Sequence, residues 1–74
     1  MSDAENLRHL GQTDRWIARA ERRVEQESQV LARAERAGRD TSTMRRLLAA
    51  LQEWMRLLIE RRAILLQRWR RRSR

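Results

Sequence analysis

The stretch that decides the fold is Ala37-Gly38-Arg39-Asp40-Thr41-Ser42-Thr43-Met44, which separates two long helical patterns in a 74-residue chain without proline. Gly38 can adopt the left-handed backbone conformation that ends a helix. Asp40, Thr41 or Ser42 can accept hydrogen bonds from the free amides that open the next helix. The stretch therefore predicts an all-α fold, a coiled-coil-like antiparallel hairpin of two helices with a turn over residues 38–42.

The first arm is predicted to be helical over about residues 3–37, and Ser2 and Glu5 have the spacing of a capping box at its start. Two lines of residues, each with a spacing of seven, form its packing seam. They are Leu10, Ile17, Val24 and Leu31, and three positions later Thr13, Ala20, Glu27 and Ala34. The alanines allow a partner helix to approach closely, whereas Thr13 and Glu27 need polar partners or a position at the edge.

The second arm is predicted to be helical over about residues 43–71, and its apolar arc is wider than one partner helix can cover. Its seam consists of Met44, Leu48, Leu51, Met55, Leu58, Arg62, Leu65 and Trp69, and further apolar residues are Leu47, Ala50, Trp54, Leu57, Ile59, Ile64 and Leu66. Small chains bury little apolar surface, so the excess apolar surface predicts that two copies of the chain associate as a dimer, which is a four-helix bundle. A different helical protein is the alternative partner. The residues predicted for this interface are Leu47, Leu51, Trp54, Leu57, Leu58, Ile64 and Leu65.

A turn near residue 40 also predicts which residues of the two arms lie level with each other. The expected charge pairs are Asp14 with Arg68, Glu21 with Arg61 and Glu25 with Arg56. The same alignment places Trp69 over Gly11. Arg62, on the apolar seam, is expected to direct its guanidinium outward or to pair with Glu21.

Positive charge is concentrated in the second half of the chain, and all 18 basic residues are arginine. Residues 1–37 hold seven arginines and seven acidic residues, whereas residues 38–74 hold eleven and three, which gives the net charge of +8. Two groups of arginines are candidate sites for anions or nucleic acid. One is the basic tail over residues 68–74, with Arg68, Arg70, Arg71, Arg72 and Arg74, and the other is the hairpin tip, with Arg39, Arg45 and Arg46.

The composition argues against catalysis. Cysteine and tyrosine are absent, and His9 is the only histidine. Glu5 and His9 share a helix face, but a solvated pair is favoured there over a metal site. We therefore predict no enzymatic activity, no cofactor and no metal. The sequence has no apolar run of about 20 residues and no secretory signal, which favours a cytoplasmic location.

The turn Gly38-Arg39-Asp40-Thr41, the Ile17-Ala18 pair and the leucine-rich run over residues 47–53 together resemble a group of short, uncharacterised helical-hairpin proteins of high-GC bacteria such as alphaproteobacteria. The resemblance covers about residues 7–66. It implies the helical hairpin and carries no activity with it. Trp54, Trp69 and the basic tail depart from the pattern of that group.

Three function classes follow from these patterns. The first is a non-enzymatic, self-associating protein-interaction module that uses the apolar arc of the second arm. The second is a nonspecific nucleic-acid-binding protein that uses the basic tail. The third is a membrane-surface protein, because residues 54–72 form a basic amphipathic helix that could lie on an anionic membrane if the hairpin opened. The apolar arc favours the first.

Overall fold

The protein is a hairpin of two long α-helices, as seen in a computed structural model that describes residues 3–72, apart from the side chains of Asp3 and Arg72. Helix α1 spans Asp3–Arg36 and helix α2 spans Ser42–Arg72. The helices pack against each other in an antiparallel arrangement with overall dimensions of 57 × 15 × 14 Å. The predicted all-α hairpin is confirmed. Ser2, the predicted capping residue, lies outside the described residues.

Helix α1 ends in a glycine turn whose hydrogen bonds satisfy its last carbonyl groups. Gly38 has a φ of 71°, in the left-handed region. Its amide donates to the carbonyl of Glu35, and the amide of Arg39 donates to the carbonyl of Ala34, both over 3.0 Å. This pair of bonds is the Schellman motif. The predicted role of Gly38 as the residue that ends α1 is confirmed.

Helix α2 begins with a carboxylate cap. The amide of Ser42 donates to Asp40 Oδ1 over 3.1 Å, and the carbonyl of Thr41 accepts the first bond of the helix from the amide of Arg45. The hydrogen bond from the Ser42 amide, with a second from the Ser42 hydroxyl, lowers the pKa of Asp40. Of the three residues predicted to cap α2, Asp40 supplies the side-chain acceptor, while the side chain of Thr41 is buried.

The core is a thin seam between the helices. Its buried apolar residues are Leu10, Ala20, Ala34, Leu58 and Leu65. The other seam residues of α1 are at least half-buried, in agreement with the predicted spacing of seven residues. The α1 side of the seam also buries Asn6 and Thr13, which retain 2% and 0% exposure. Asn6 Oδ1 and Thr13 Oγ1 have no hydrogen-bond partner. Thr13 therefore has neither a partner nor an edge position, whereas Glu27 is half-buried.

The predicted charge pairs between the arms are wrong. Arg62 Nε donates to Asp14 Oδ1 over 2.6 Å, and the guanidinium of Arg61 lies 6.0 Å from the centre of the Trp16 ring. Asp14 meets a residue six positions nearer the turn than Arg68, so the predicted alignment was displaced along the hairpin. It also ignored the side on which each residue lies. Residues seven apart share a helix face, so Arg68 lies on the side of Arg61 and Trp16, opposite to Asp14.

The other two predicted pairs fail for related reasons. Arg61 contacts Trp16 in place of Glu21, and Arg56 binds Glu53 and Glu60 of its own helix in place of Glu25. Arg62 keeps its guanidinium exposed, as expected for an arginine on a seam, but pairs with Asp14.

Trp69 does not cover Gly11 as predicted. A Cβ at Gly11 would have one atom within 4 Å outside its own turn, Nη1 of Arg15 at 3.9 Å. The one neighbour over this glycine is therefore a side chain of its own helix.

Candidate interaction surface

Four large apolar side chains of α2 form a stripe exposed to solvent along one side of the hairpin. The stripe consists of Leu47, Trp54, Leu57 and Ile64, and we call it the α2 stripe. Leu57 and Ile64 are 49% and 50% exposed. The spacing of seven, three and seven places the four residues on one face of the helix.

The α2 stripe is exposed because it lies beside the seam rather than on it. The seam residues Leu51, Leu58 and Leu65 of α2 point toward α1 and are buried or half-buried. Leu47 and Trp54 lie three positions after one seam residue and four positions before the next, so they are rotated by about 50° from the seam. Leu57 and Ile64 directly precede the buried Leu58 and Leu65, so they are rotated by about 100° from them and point away from α1. A single partner helix leaves them in contact with solvent.

The same side of α1 adds few apolar groups to the surface. Trp16 is half-buried beneath the guanidinium of Arg61, and Val30 is exposed. Near the open end of the hairpin, His9 of α1 lines a groove with Leu57 and Ile64 of α2. This groove shows that the α2 stripe continues to the junction with α1.

The structure divides the residues predicted for the interface into two groups. Leu58 and Leu65 are buried between α1 and α2, and Leu51 is half-buried. They therefore hold the hairpin together. Leu47, Trp54, Leu57 and Ile64 remain accessible, so the α2 stripe is the part of the predicted set that a partner can reach.

The outer face of α2 is polar and carries its own ion-pair network. Arg56 donates to both carboxylate oxygens of Glu53, over 3.0 and 2.5 Å, and its other terminal nitrogen donates to Glu60. The hydrogen bond from Arg56 lowers the pKa of Glu53, and the same bond raises the pKa of Arg56. The outer face of α2 is therefore charged, in contrast to the side that carries the stripe.

The candidate anion sites lie at opposite ends of the 57 Å hairpin. At the open end Arg68, Arg70 and Arg71 are exposed on the last turns of α2, while the side chain of Arg72 and residue Arg74 lie outside the described residues.

At the tip, Arg39 and Arg46 are exposed, and Arg45 Nη2 lies 3.3 Å from Glu35 Oε1. The amide of Ser42 that an anion could bind is already occupied by Asp40. The tip is therefore the weaker of the two anion sites.

Within residues 3–72, no cluster of three or more His, Cys, Asp or Glu side chains is arranged to hold a metal ion. Over the same residues, neither helix has a segment of sufficient length and apolarity to cross a bilayer. The exposed groups that the structure does bring together are the α2 stripe and the arginines of the open end.

Comparisons with known proteins found no family model that matches the chain, and no similar curated protein or solved structure.

Proposed function

We propose that this protein is a non-enzymatic protein-interaction module that associates with itself through the α2 stripe. The observation that carries the proposal is the exposure of Leu47, Trp54, Leu57 and Ile64 on one side of one helix. Scattered apolar residues are normal on protein surfaces, but an aligned row of four large ones is typical of an interface.

The balance between buried and exposed apolar groups supports this proposal. Within the described side chains, three large apolar residues are buried, Leu10, Leu58 and Leu65, whereas eight are exposed. Two-helix chains of this size rarely bury enough apolar surface to be stable alone. Association that covers the α2 stripe would supply the missing burial.

The dimensions of the hairpin are also suitable. One long side measures 57 Å by about 15 Å. A stable protein interface buries roughly 800 Å² on each partner, which is about the area of that side. Two hairpins placed side against side would form a four-helix bundle with an ordinary interface.

Sedimentation analysis at micromolar concentration tests the proposal. We expect a dimer or larger assembly for the unmodified chain, and a shift to monomer for Leu57→Glu and Ile64→Glu. Ile59→Glu is the matched control, because Ile59 is as exposed as Leu57 but lies on the side of α2 that carries Arg45. A folded monomer of the unmodified chain, of 9.0 kDa, would contradict the proposal.

The exposed arginines of the open end support a second candidate function, nonspecific binding of nucleic acid. Arg68, Arg70 and Arg71 lie within about one turn near the end of α2 and are exposed to solvent. Such a group binds phosphate through charge alone and releases counterions, without reading sequence. The two functions use different parts of α2, so they are compatible with each other.

A further inference from the structure

We propose that two copies pair through α2 in antiparallel orientation, with the two-fold axis between Met55 and Arg56. This inference rests on the proposed self-association and adds the orientation and register of the dimer. In this dimer the α2 stripe packs against the α2 stripe of a second copy.

The positions of the apolar residues are symmetric about that point. Leu47 and Ile64 are equally distant from the midpoint between residues 55 and 56, and so are Trp54 and Leu57. Two antiparallel α2 helices centred there place Leu47 against the partner subunit's Ile64, and Trp54 against the partner subunit's Leu57. All four large residues of the stripe are covered. A two-fold interface requires a self-complementary surface of this kind.

The charged residues of the same helix face favour this orientation over a parallel one. Arg61 lies between Leu57 and Ile64 on the face of the stripe. A parallel pair would place it opposite the same residue of the second copy, and like charges in contact oppose association. The antiparallel pair places Arg61 opposite the partner subunit's Ala50, which leaves room for its side chain to remain over Trp16.

The surface of α1 argues against the other bundle arrangement, in which α2 packs on α1 of the second copy. On the side of the hairpin that carries the stripe, α1 exposes mainly polar residues, which are Gln12, Arg19, Arg23, Gln26 and Arg33. Packing these against the stripe would bury arginines without acidic partners, which is costly. Pairing α2 with α2 matches apolar surface with apolar surface and places no α1 arginine against the stripe.

The arrangement has a consequence for the basic tails. In an antiparallel dimer the two tails emerge at opposite ends of the bundle, so the assembly presents two separate cationic ends about one hairpin length apart. The interface is used once by each copy, and the assembly is closed at two copies.

Cysteine cross-linking tests the orientation directly, because the chain has no cysteine and each introduced thiol is therefore unique. Leu47→Cys and Ile64→Cys are made as separate variants, one carrying a mass tag, then mixed and oxidised. We expect a mixed disulfide that contains one chain of each. Leu47→Cys alone should form no covalent dimer, because the two copies of residue 47 would lie roughly 25 Å apart along the helix axis.

Ala49→Cys mixed with Ala63→Cys is the matched control. These exposed residues have almost the same midpoint but lie on the outer face of α2, so they should give no disulfide. Circular dichroism and sedimentation of every variant check that the hairpin is folded and associated before oxidation.

The outcomes separate the two proposals. A monomeric unmodified chain overturns both self-association and this register. A dimer in which Leu47→Cys cross-links with itself, or in which no tested pair cross-links, leaves self-association standing and overturns the antiparallel register.

Discussion

At the scale of single residues, Gly38 carries the turn through its backbone alone. Its φ of 71° is in the region that residues with a Cβ avoid, and a Cβ placed there would have no atom within 4 Å. The requirement for glycine is therefore conformational and does not come from crowding.

We predict that Gly38→Val lowers the free energy of unfolding by about 1 kcal/mol or more, since a β-branched side chain is strained at positive φ. Gly38→Asn is the matched control and should cost less, because asparagine tolerates the left-handed region. Thermal melts of the two variants check the prediction. Equal melting temperatures for Gly38→Val and the unmodified chain would contradict it.

A second residue-scale prediction concerns Thr13, whose hydroxyl is buried without a partner. Replacing it with the similarly shaped valine removes an unsatisfied polar group, so Thr13→Val should raise the free energy of unfolding by about 1 kcal/mol. Thr43→Val, the same change at an exposed position, should not stabilise the chain. Denaturant melts measure both. Destabilisation by Thr13→Val would show that the hydroxyl has a partner in solution.

At the scale of the helices, the carboxylates that stabilise α2 are acid-sensitive. The pKa of Asp40 is lowered by the hydrogen bonds from Ser42, and the pKa of Glu53 is lowered by its hydrogen bond with Arg56. A carboxyl group whose pKa is lower in the folded state stabilises that state above its unfolded pKa. This contribution is lost as the pH falls below about 4 and both groups become protonated.

We therefore predict that helix content and melting temperature decrease between about pH 5 and pH 2. Asp40→Asn retains an oxygen that can accept from the Ser42 amide but does not titrate, so its melting temperature should fall less steeply over the same range. Circular dichroism melts at several pH values check this. Identical pH profiles for the two chains would show that the cap does not contribute to the acid sensitivity.

At the scale of the whole molecule, the hairpin separates its apolar side from its cationic end. The α2 stripe runs along the length of α2, whereas Arg68, Arg70 and Arg71 lie in its last turns. The proposed self-association and the proposed binding of nucleic acid therefore depend on different residues, so each can be tested in a variant that changes only one of them.

Removal of residues 70–74 deletes four arginines and should weaken nucleic-acid binding equally for unrelated sequences. The slope of log affinity against log salt concentration should become shallower by about 3 to 4. Fluorescence anisotropy with labelled RNA and DNA at several salt concentrations measures this, with Leu57→Glu as the control that retains the tail. If the intact protein does not bind at low salt, the second function is excluded.

Much of the structure of α2 could be predicted from the amino-acid sequence. Helical periodicity fixes the angular position of every residue on its helix, so the apolar arc could be predicted from residue order. The turn could be predicted separately, from the conformational freedom of Gly38 and the capping residues after it. The exposure of Leu57 and Ile64 follows from that arc. The burial of Asn6 had no signal in the sequence, because a polar residue on the seam line near a helix start resembles a solvated one.

The amino-acid sequence by itself determined the two helices, the turn between them and the excess of apolar surface on α2, because these depend on local backbone preferences and on spacing within one helix. The tertiary structure alone decided which residues of the two helices meet. Arg61 lies over Trp16, and Arg62 pairs with Asp14, because the packing of the whole seam sets the rotation and height of one helix against the other. That same packing takes Leu58 and Leu65 into the hairpin and leaves the α2 stripe outside.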